Sequence, residues 1–292
     1  EYEFVHGKEI GTTTRYPELD EHWTWKRREV QLVTGIPNMG KSRWIETMML
    51  IKSIYDGDKW GVYSPESYPA NEFYDMLIQT CIGKHIDKRF EETPGRCTLQ
   101  EYRAAYEFVR EHFFYIYPHG DFHSPQQIND TFGELIVKEG INGGIIDPFN
   151  QLHHDYGQLR DDIYLSTLLA AEKKFAIDND FYKIIVAHPK QMRQTDSGAF
   201  KVPDVYDLHG GSMWANKVDN IPVVHRPNFH KSKIDPLTEI YIQKIKKQAL
   251  VCTPGMVKMS YSRMRQQYFQ ESNNFNPYSK HIIAQSKQER IF

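Results

Sequence analysis

The sequence predicts an α/β fold: a mostly parallel, twisted sheet with helices on both faces and extra β strands at one edge. Three observations carry this. Short apolar runs rich in β-branched residues alternate with segments of helical period from Glu29 to Ala187. A glycine-framed stretch, Gly35-Ile36-Pro37-Asn38-Met39-Gly40-Lys41-Ser42, stands between the first such run and the first helical segment. Beyond Gly210-Gly211 the pattern changes to three β-rich segments.

The elements follow in order. Glu29–Thr34 reads as a buried strand, and Ser42 to about Asp56 as a helix whose Ile45, Met48, Met49 and Ile51–Ile54 supply an apolar face. Lys59–Ser64 is a second strand and Ala70–Ile82 a helix. Thr98-Leu-Gln-Glu101 is a capping box that opens another helix. Phe113–Tyr117 is a short strand, and Ser124-Pro125 starts a helix that stops at Gly140. Gly144–Asp147 ends a strand, Leu159 to about Asp178 is a long amphipathic helix, and Tyr182–Ala187 is a strand. A polar loop covers Pro189 to about Pro203, and the late strands are Ile221–His225, Thr238–Ile245 and Met256–Tyr261.

The 292 residues are 40% hydrophobic and 25% charged, the balance of a globular domain rather than a disordered chain. No apolar run approaches the roughly 20 residues of a membrane span, and no membrane partner is expected. The net charge of -2 excludes a strongly basic nucleic-acid footprint, so any such contact must be local. The 3 cysteines are widely separated and form no Cys-x-x-Cys, which suits a reducing compartment. The chain opens on Glu1 without a signal-peptide pattern and is expected to be a piece of a longer protein.

Gly35 to Ser42 fits G-x-x-x-x-G-K-[ST], the phosphate-binding loop. The chemistry explains the spacing. Glycines let the backbone fold round a phosphate, and successive N–H groups form an anion nest at a helix N-terminus. Lys41 would reach the β- and γ-phosphates of ATP, the Ser42 hydroxyl would ligate Mg²⁺, and Arg43 follows at the start of the helix. Hydrolysis asks for more: a carboxylate near the metal, a base for water and a cation for the γ-phosphate. Asp147 ends an apolar strand in the Walker-B manner and is the second Mg²⁺ candidate, although an Asp there also suits a helix N-cap. Glu66 follows the second strand and is the candidate base, or else an exposed loop residue. His188 ends the strand Ile184–His188, where a polar group can touch the γ-phosphate or serve the structure alone.

These motifs, in this order, resemble the RecA-like helicase domain of the Twinkle and phage primase-helicase group, relatives of the DnaB-like replicative helicases. The resemblance runs from about Gly11 to Phe269. It rests on Thr34–Ser42, Ser64-Pro-Glu-Ser67, Gly144–Leu152, Val186-Ala-His-Pro-Lys190, Pro203–Ser212, Ala215–Asn220 and Val224-His-Arg226. Residues 1–28 read as a lead-in or linker and the Asn-, Ser- and Gln-rich residues 271–292 as a flexible tail, which leaves 29–270 as the RecA-like ATPase domain. The resemblance implies a hexameric ring that binds ATP between subunits, moves 5′ to 3′ on single-stranded DNA and unwinds a replication fork. A primase domain or a polymerase is the implied partner. The implied location is the cytoplasm of a bacterium or phage-infected cell, or else a mitochondrial or plastid matrix.

The resemblance also implies a cationic finger supplied in trans from a late strand, usually Lys-x-Arg. Here the segment reads Gln243-Lys244-Ile-Lys246, with Lys246 at the finger position and Lys244 as its companion. Lysine is a point charge without the arginine fork, and Arg263 and Arg265 are alternative donors. His209 departs from the usual Ser before glycine. The loop after His188 is the implied DNA contact, through Lys190, Arg193 and Lys201 to phosphates. His153–Gly157 is a second candidate loop. A RecA-like recombinase filament and a nucleotide-gated binding module without unwinding are the competing readings.

Overall fold

The structure is a computed structural model that describes residues 2–90, 95–117, 123–190, 192 and 194–278. Two short helices lead in: α1 (Tyr2–His6) and α2 (Pro17–Asp20). The core then alternates: β1 (Glu29–Thr34), α3 (Lys41–Asp56), β2 (Trp60–Tyr63), α4 (Ala70–Ile82), α5 (Leu99–His112), β3 (Phe113–Tyr115), α6 (Pro125–Glu139), β4 (Gly143–Ile146), α7 (Asp161–Asp178) and β5 (Tyr182–Ala187). After the loop come α8 (Gly211–Lys217), β6 (Asn220–His225), β7 (Leu237–Ile245), β8 (Gly255–Ser262) and β9 (Gln267–Gln270). Among the described residues the strands form one nine-stranded sheet in the order β3-β2-β4-β5-β1-β6-β7-β8-β9. The pairs from β3 to β6 are parallel and those from β6 to β9 antiparallel.

The expected elements are present, and β9 and α8 are additions. The expected capping box forms between Thr98 and Glu101, and the helix start at Ser124 proves to be another, with Gln127. Every residue of β1, β2, β4, β5 and β6 is buried, because helices cover both faces of a parallel sheet. The pleat divides β1 between two layers. Val30 and Leu32 pack with α7 and α8, whereas Val33 packs with α3, α4 and α5.

Residues 11–28, read as a lead-in, are built into this same unit. Tyr16, Leu19, Trp23 and Trp25 are each at most 1% exposed. Trp23 and Trp25 join Trp44, Trp60 and Tyr182 in an aromatic cluster with ring centroids 4.8–5.7 Å apart. The backbone N–H of Gly11 donates to Leu250 O at 2.7 Å, and Tyr16 Oη donates to Tyr268 O at 2.8 Å. The opening of the tail is tied in as well, since Tyr55 Oη donates to Pro277 O at 2.6 Å and Tyr278 Oη to Thr47 O at 3.2 Å. The tail beyond Tyr278 lies outside the described residues.

One ion pair is wholly internal. Lys183 on β5 (0% exposed) meets Glu172 on α7 (1% exposed) at 2.8 Å, with the Asn129 amide of α6 donating to the same carboxylate at 3.1 Å. Its ammonium also lies 4.5 Å from the Phe132 ring centroid.

Candidate nucleotide-binding site

The loop from Gly35 to Gly40 leaves the end of β1, where Thr34 Oγ1 donates to Ala187 O at 2.8 Å. Gly35 has φ 150° and Gly40 φ 89°, conformations that favour glycine. A Cβ on Gly35 would lie 2.4 Å from Val224 O, so β6 presses directly on the loop. Ile36 and Met39 are buried and hold the loop from within, while Pro37 and Asn38 form its exposed tip. Lys41 and Ser42 open α3. Lys41 is 5% exposed, and its ammonium donates to Ile36 O at 3.2 Å, across the loop. Burial pushes its pKa down to about 8, against the pull of Asp147 and Glu66.

Asp147, just past β4, is buried and accepts a hydrogen bond from the Ser42 side chain. Burial pushes its pKa up to about 6, Ser42 and Lys41 oppose this, and Glu66 adds to it. Its Oδ2 has no hydrogen-bond partner among the described residues. A buried, unpartnered carboxylate oxygen beside a serine hydroxyl is a hard-oxygen pair that fits Mg²⁺. No cluster of three or more His, Cys, Asp or Glu fit to hold a metal occurs among the described residues. At His153–His154 the second ring is already engaged, Nδ1 with Tyr164 Oη at 3.1 Å and Nε2 with Phe149 O at 3.2 Å.

Glu66 stands on a short 3₁₀ turn, Pro65–Ser67, directly after β2. It is exposed, and its Oε1 accepts from Gln151 Nε2 at 2.7 Å. His188, after β5, donates its backbone N–H to Asn150 Oδ1 at 2.9 Å. Burial pushes the His188 imidazole down to about 4 and Lys41 pushes the same way, so the ring is neutral at physiological pH. Four strand ends, those of β1, β2, β4 and β5, thus bring Lys41, Ser42, Glu66, Asp147 and His188 to one edge of the sheet. This is where parallel α/β sheets bind ligands.

Arg43, also on α3, is half-buried, and its Nη1 has no hydrogen-bond partner among the described residues. It lies near Glu46, which is 2% exposed, and near the Tyr261, Tyr268 and Tyr278 hydroxyls. Glu46 has no place in the expected site, and Asn150 and Gln151 belong to the Gly144–Leu152 motif without an expected role of their own. Glu46 sits inside an apolar helical run, where its spacing gives no signal. Asn150 and Gln151 act through contacts 38 and 85 residues distant in sequence.

Lys244 and Lys246 do not join this group. Ile245 pairs with Asn220, the first residue of β6, while the phosphate loop touches Val224 near the end of β6. The two lysines therefore occupy the opposite edge of the sheet from their own Gly35–Ser42. Lys244 Nζ donates to Ala215 O at 2.5 Å and Val218 O at 2.6 Å, capping the end of α8. Lys246 Nζ is 3.7 Å from Asp219 Oδ1 and remains 48% exposed.

Lys190 and Lys201 line one open groove of about 650 Å³ together with Met192, Gln194, Asp207 and the exposed Tyr206. The Lys190 N–H donates to Asp207 O at 2.8 Å, which fixes the root of the loop. Arg193 lies outside the described residues. His209 Nε2 is 3.6 Å from Asp161 Oδ2 in the first turn of α7, so the departure at His209 links the end of this loop to the end of the His153–Arg160 loop.

No protein-family model matches the chain. It is 28% identical over 247 residues to the Twinkle homolog protein, chloroplastic/mitochondrial, of Arabidopsis thaliana. The match covers 84% of this chain and 34% of that protein, so the chain spans about a third of the length of this relative. Among solved structures it is similar to the ATPase domain of G40P (TM-score 0.73, 18% identity, 91% of this chain and 93% of that chain). It is also similar to a DnaB-like replicative helicase whose structure is described with its primase interactions (TM-score 0.72, 18% identity, 91% and 66%). The fold is thus the RecA-like one of DnaB-like helicase ATPase domains, and the expected resemblance to Twinkle and DnaB-like proteins is present.

Proposed function

We propose that this domain is the ATP-hydrolysing motor of a replicative DNA helicase, working at subunit interfaces of a hexameric ring that translocates 5′ to 3′ on single-stranded DNA. The observation that carries the reading is the split of the machinery between opposite edges of one sheet. Lys41, Ser42, Glu66, Asp147 and His188 share one edge and Lys244 and Lys246 the other. A lysine that serves a γ-phosphate from there serves the neighbour's, and such an arrangement favours a ring or filament over a monomer.

Within that reading, the loop N–H groups from Gly35 to Ser42 and the Lys41 ammonium hold the phosphates. Ser42 and Asp147 would hold Mg²⁺, which when bound neutralises charge on the β- and γ-phosphate oxygens. Glu66 takes the proton from the attacking water, and neutral His188 hydrogen-bonds the γ-phosphate. Lys246 of the neighbouring subunit stabilises the developing charge. Lys190, Arg193 and Lys201 grip the DNA backbone independently of sequence. A primase domain or a polymerase is the partner we expect. An organelle is a possible site of action by the plant relative, the cytoplasm by the DnaB-like fold. No helix among the described residues is long and apolar enough to cross a membrane.

The test is ATPase rate against added single-stranded DNA at two protein concentrations and two salt concentrations, with fork unwinding alongside. Stimulation that rises with protein and weakens with salt supports the interface motor. A rate indifferent to both overturns it. Lysine in place of arginine keeps a nucleotide-gated binding module as the second reading, which predicts DNA binding that depends on ATP with no unwinding. Closed rings by electron microscopy, rather than helical filaments, separate the motor from a recombinase.

A further inference from the structure

The segment that follows β4 does more than present Asp147. Its next turn, Phe149–Gln151, sends two side chains to two different strand ends. Asn150 Oδ1 accepts the His188 backbone N–H at 2.9 Å, and Gln151 Nε2 donates to Glu66 Oε1 at 2.7 Å. Leu152 then returns to the core at 6% exposure, and the loop 153–160 runs out into solvent with Tyr156 and Leu159 at its surface. One dipeptide thus contacts the roots of both candidate DNA loops and the carboxylate assigned as base. The Glu66 carboxylate is exposed and has no resident cation bonded to it among the described residues. A donor amide on one of its two oxygens occupies that oxygen and fixes the rotamer of the carboxylate.

We infer that Gln151 is a positioning residue that restrains Glu66 in the resting subunit, and that single-stranded DNA engaging the 153–160 loop draws Gln151 away and releases the base. Leu152 is the pivot of that movement, because its buried side chain fixes the chain between the amide and the loop. The inference rests on the proposed role of Glu66. The coupling is physical and local: one hydrogen bond, one residue from the pivot, two from the start of the loop. Asn150 makes the same turn report to His188, so phosphate contact and base release respond together to the loop.

The experiment uses the full chain, with ATPase measured with and without a single-stranded oligonucleotide. Gln151→Met keeps the length and removes the N–H; Gln151→Glu replaces the donor by a repelling charge. The expected result for both is a DNA-free kcat raised by about three- to tenfold, the effect of one ordinary solvent-exposed hydrogen bond. KM for ATP should stay within about twofold, the DNA-stimulated kcat should be little changed, and the fold-stimulation should shrink by the same factor. Equal loss of kcat with and without DNA would make Gln151 an orienting group and overturn the restraint. An unchanged stimulation ratio would reduce the contact to a surface hydrogen bond. Glu66→Ala separates the two levels. If it is inactive in both backgrounds while Gln151→Met behaves as wild type, only the restraint fails. If it still hydrolyses ATP, the assignment of the base fails with it.

Discussion

Replacing Glu46 by glutamine should remove a loss of stability that the parent suffers as pH rises. Glu46 faces the interior from α3 at 2% exposure, and its Oε2 has no hydrogen-bond partner among the described residues. Burial pushes its pKa up to about 8, with Arg43 opposing and Asp147 adding. In the unfolded chain the same carboxyl titrates near 4.5. The native state therefore holds a proton that the unfolded chain has released, and stability falls as pH rises from about 4.5 through about 8. At about 1.4 kcal/mol per pH unit the loss is on the order of 4–5 kcal/mol, or roughly 10–20 °C in Tm for a domain of this size. Glutamine is isosteric and cannot ionise. Parent and Glu46→Gln should have similar urea midpoints at pH 5, and the variant should be clearly the more stable at pH 8.5. Asp147 contributes a slope of the same sign through about pH 6, and Lys41 one of opposite sign above pH 8. Both cancel in the comparison. A difference between the two proteins that stayed constant from pH 5 to pH 8.5 would refute the reasoning.

Lys183→Met should cost about 3–5 kcal/mol in urea unfolding, because it leaves Glu172 charged in the core, and adding Glu172→Leu should restore most of the loss. Lys246→Ala mixed one to one with the parent should depress ATPase below half of the parent rate, since one inactive interface interrupts a ring; strictly additive activity would exclude a role in trans. If Asp147 holds Mg²⁺ as proposed, it must do so ionised, and its pKa of about 6 means that the Mg²⁺ concentration supporting nucleotide binding should climb by up to about tenfold per pH unit below that point. Titration of a fluorescent nucleotide at pH 5 and pH 7 checks this, and Asp147→Asn should abolish the difference.

The layout of the sheet was legible because local rules and tertiary demand agree at its elements. Glu29–Thr34 reads as a strand from its apolar residues and is buried on both faces. The Thr98 and Ser124 capping boxes mark helix starts to the residue. The cluster at the strand ends was also readable, since each of its members sits at a fixed offset from a strand. What composition concealed was contact over long separations. The polar, Trp-containing stretch before Glu29 has no period that betrays burial, yet Trp23 and Trp25 are interior because late strands cover them. The strand β9, Gln267–Gln270, is short, with a polar residue at each end, and among the described residues it pairs with β8 alone. Lys244 and Lys246 read as one basic face, and only the antiparallel register shows that they stand away from their own phosphate loop.

The bond from Tyr16 to Tyr268 spans 252 residues, and this governs the order in which the protein can be completed during synthesis. Trp23 and Trp25 can meet Trp44 and Trp60 early. Their cover, from Leu250 to Tyr268, is translated well after them. At about 5–20 residues per second the nascent chain carries an unsealed aromatic surface for tens of seconds. Contacts of such separation also slow closure once the chain is free. Any contact that needs this face closed must wait for that seam.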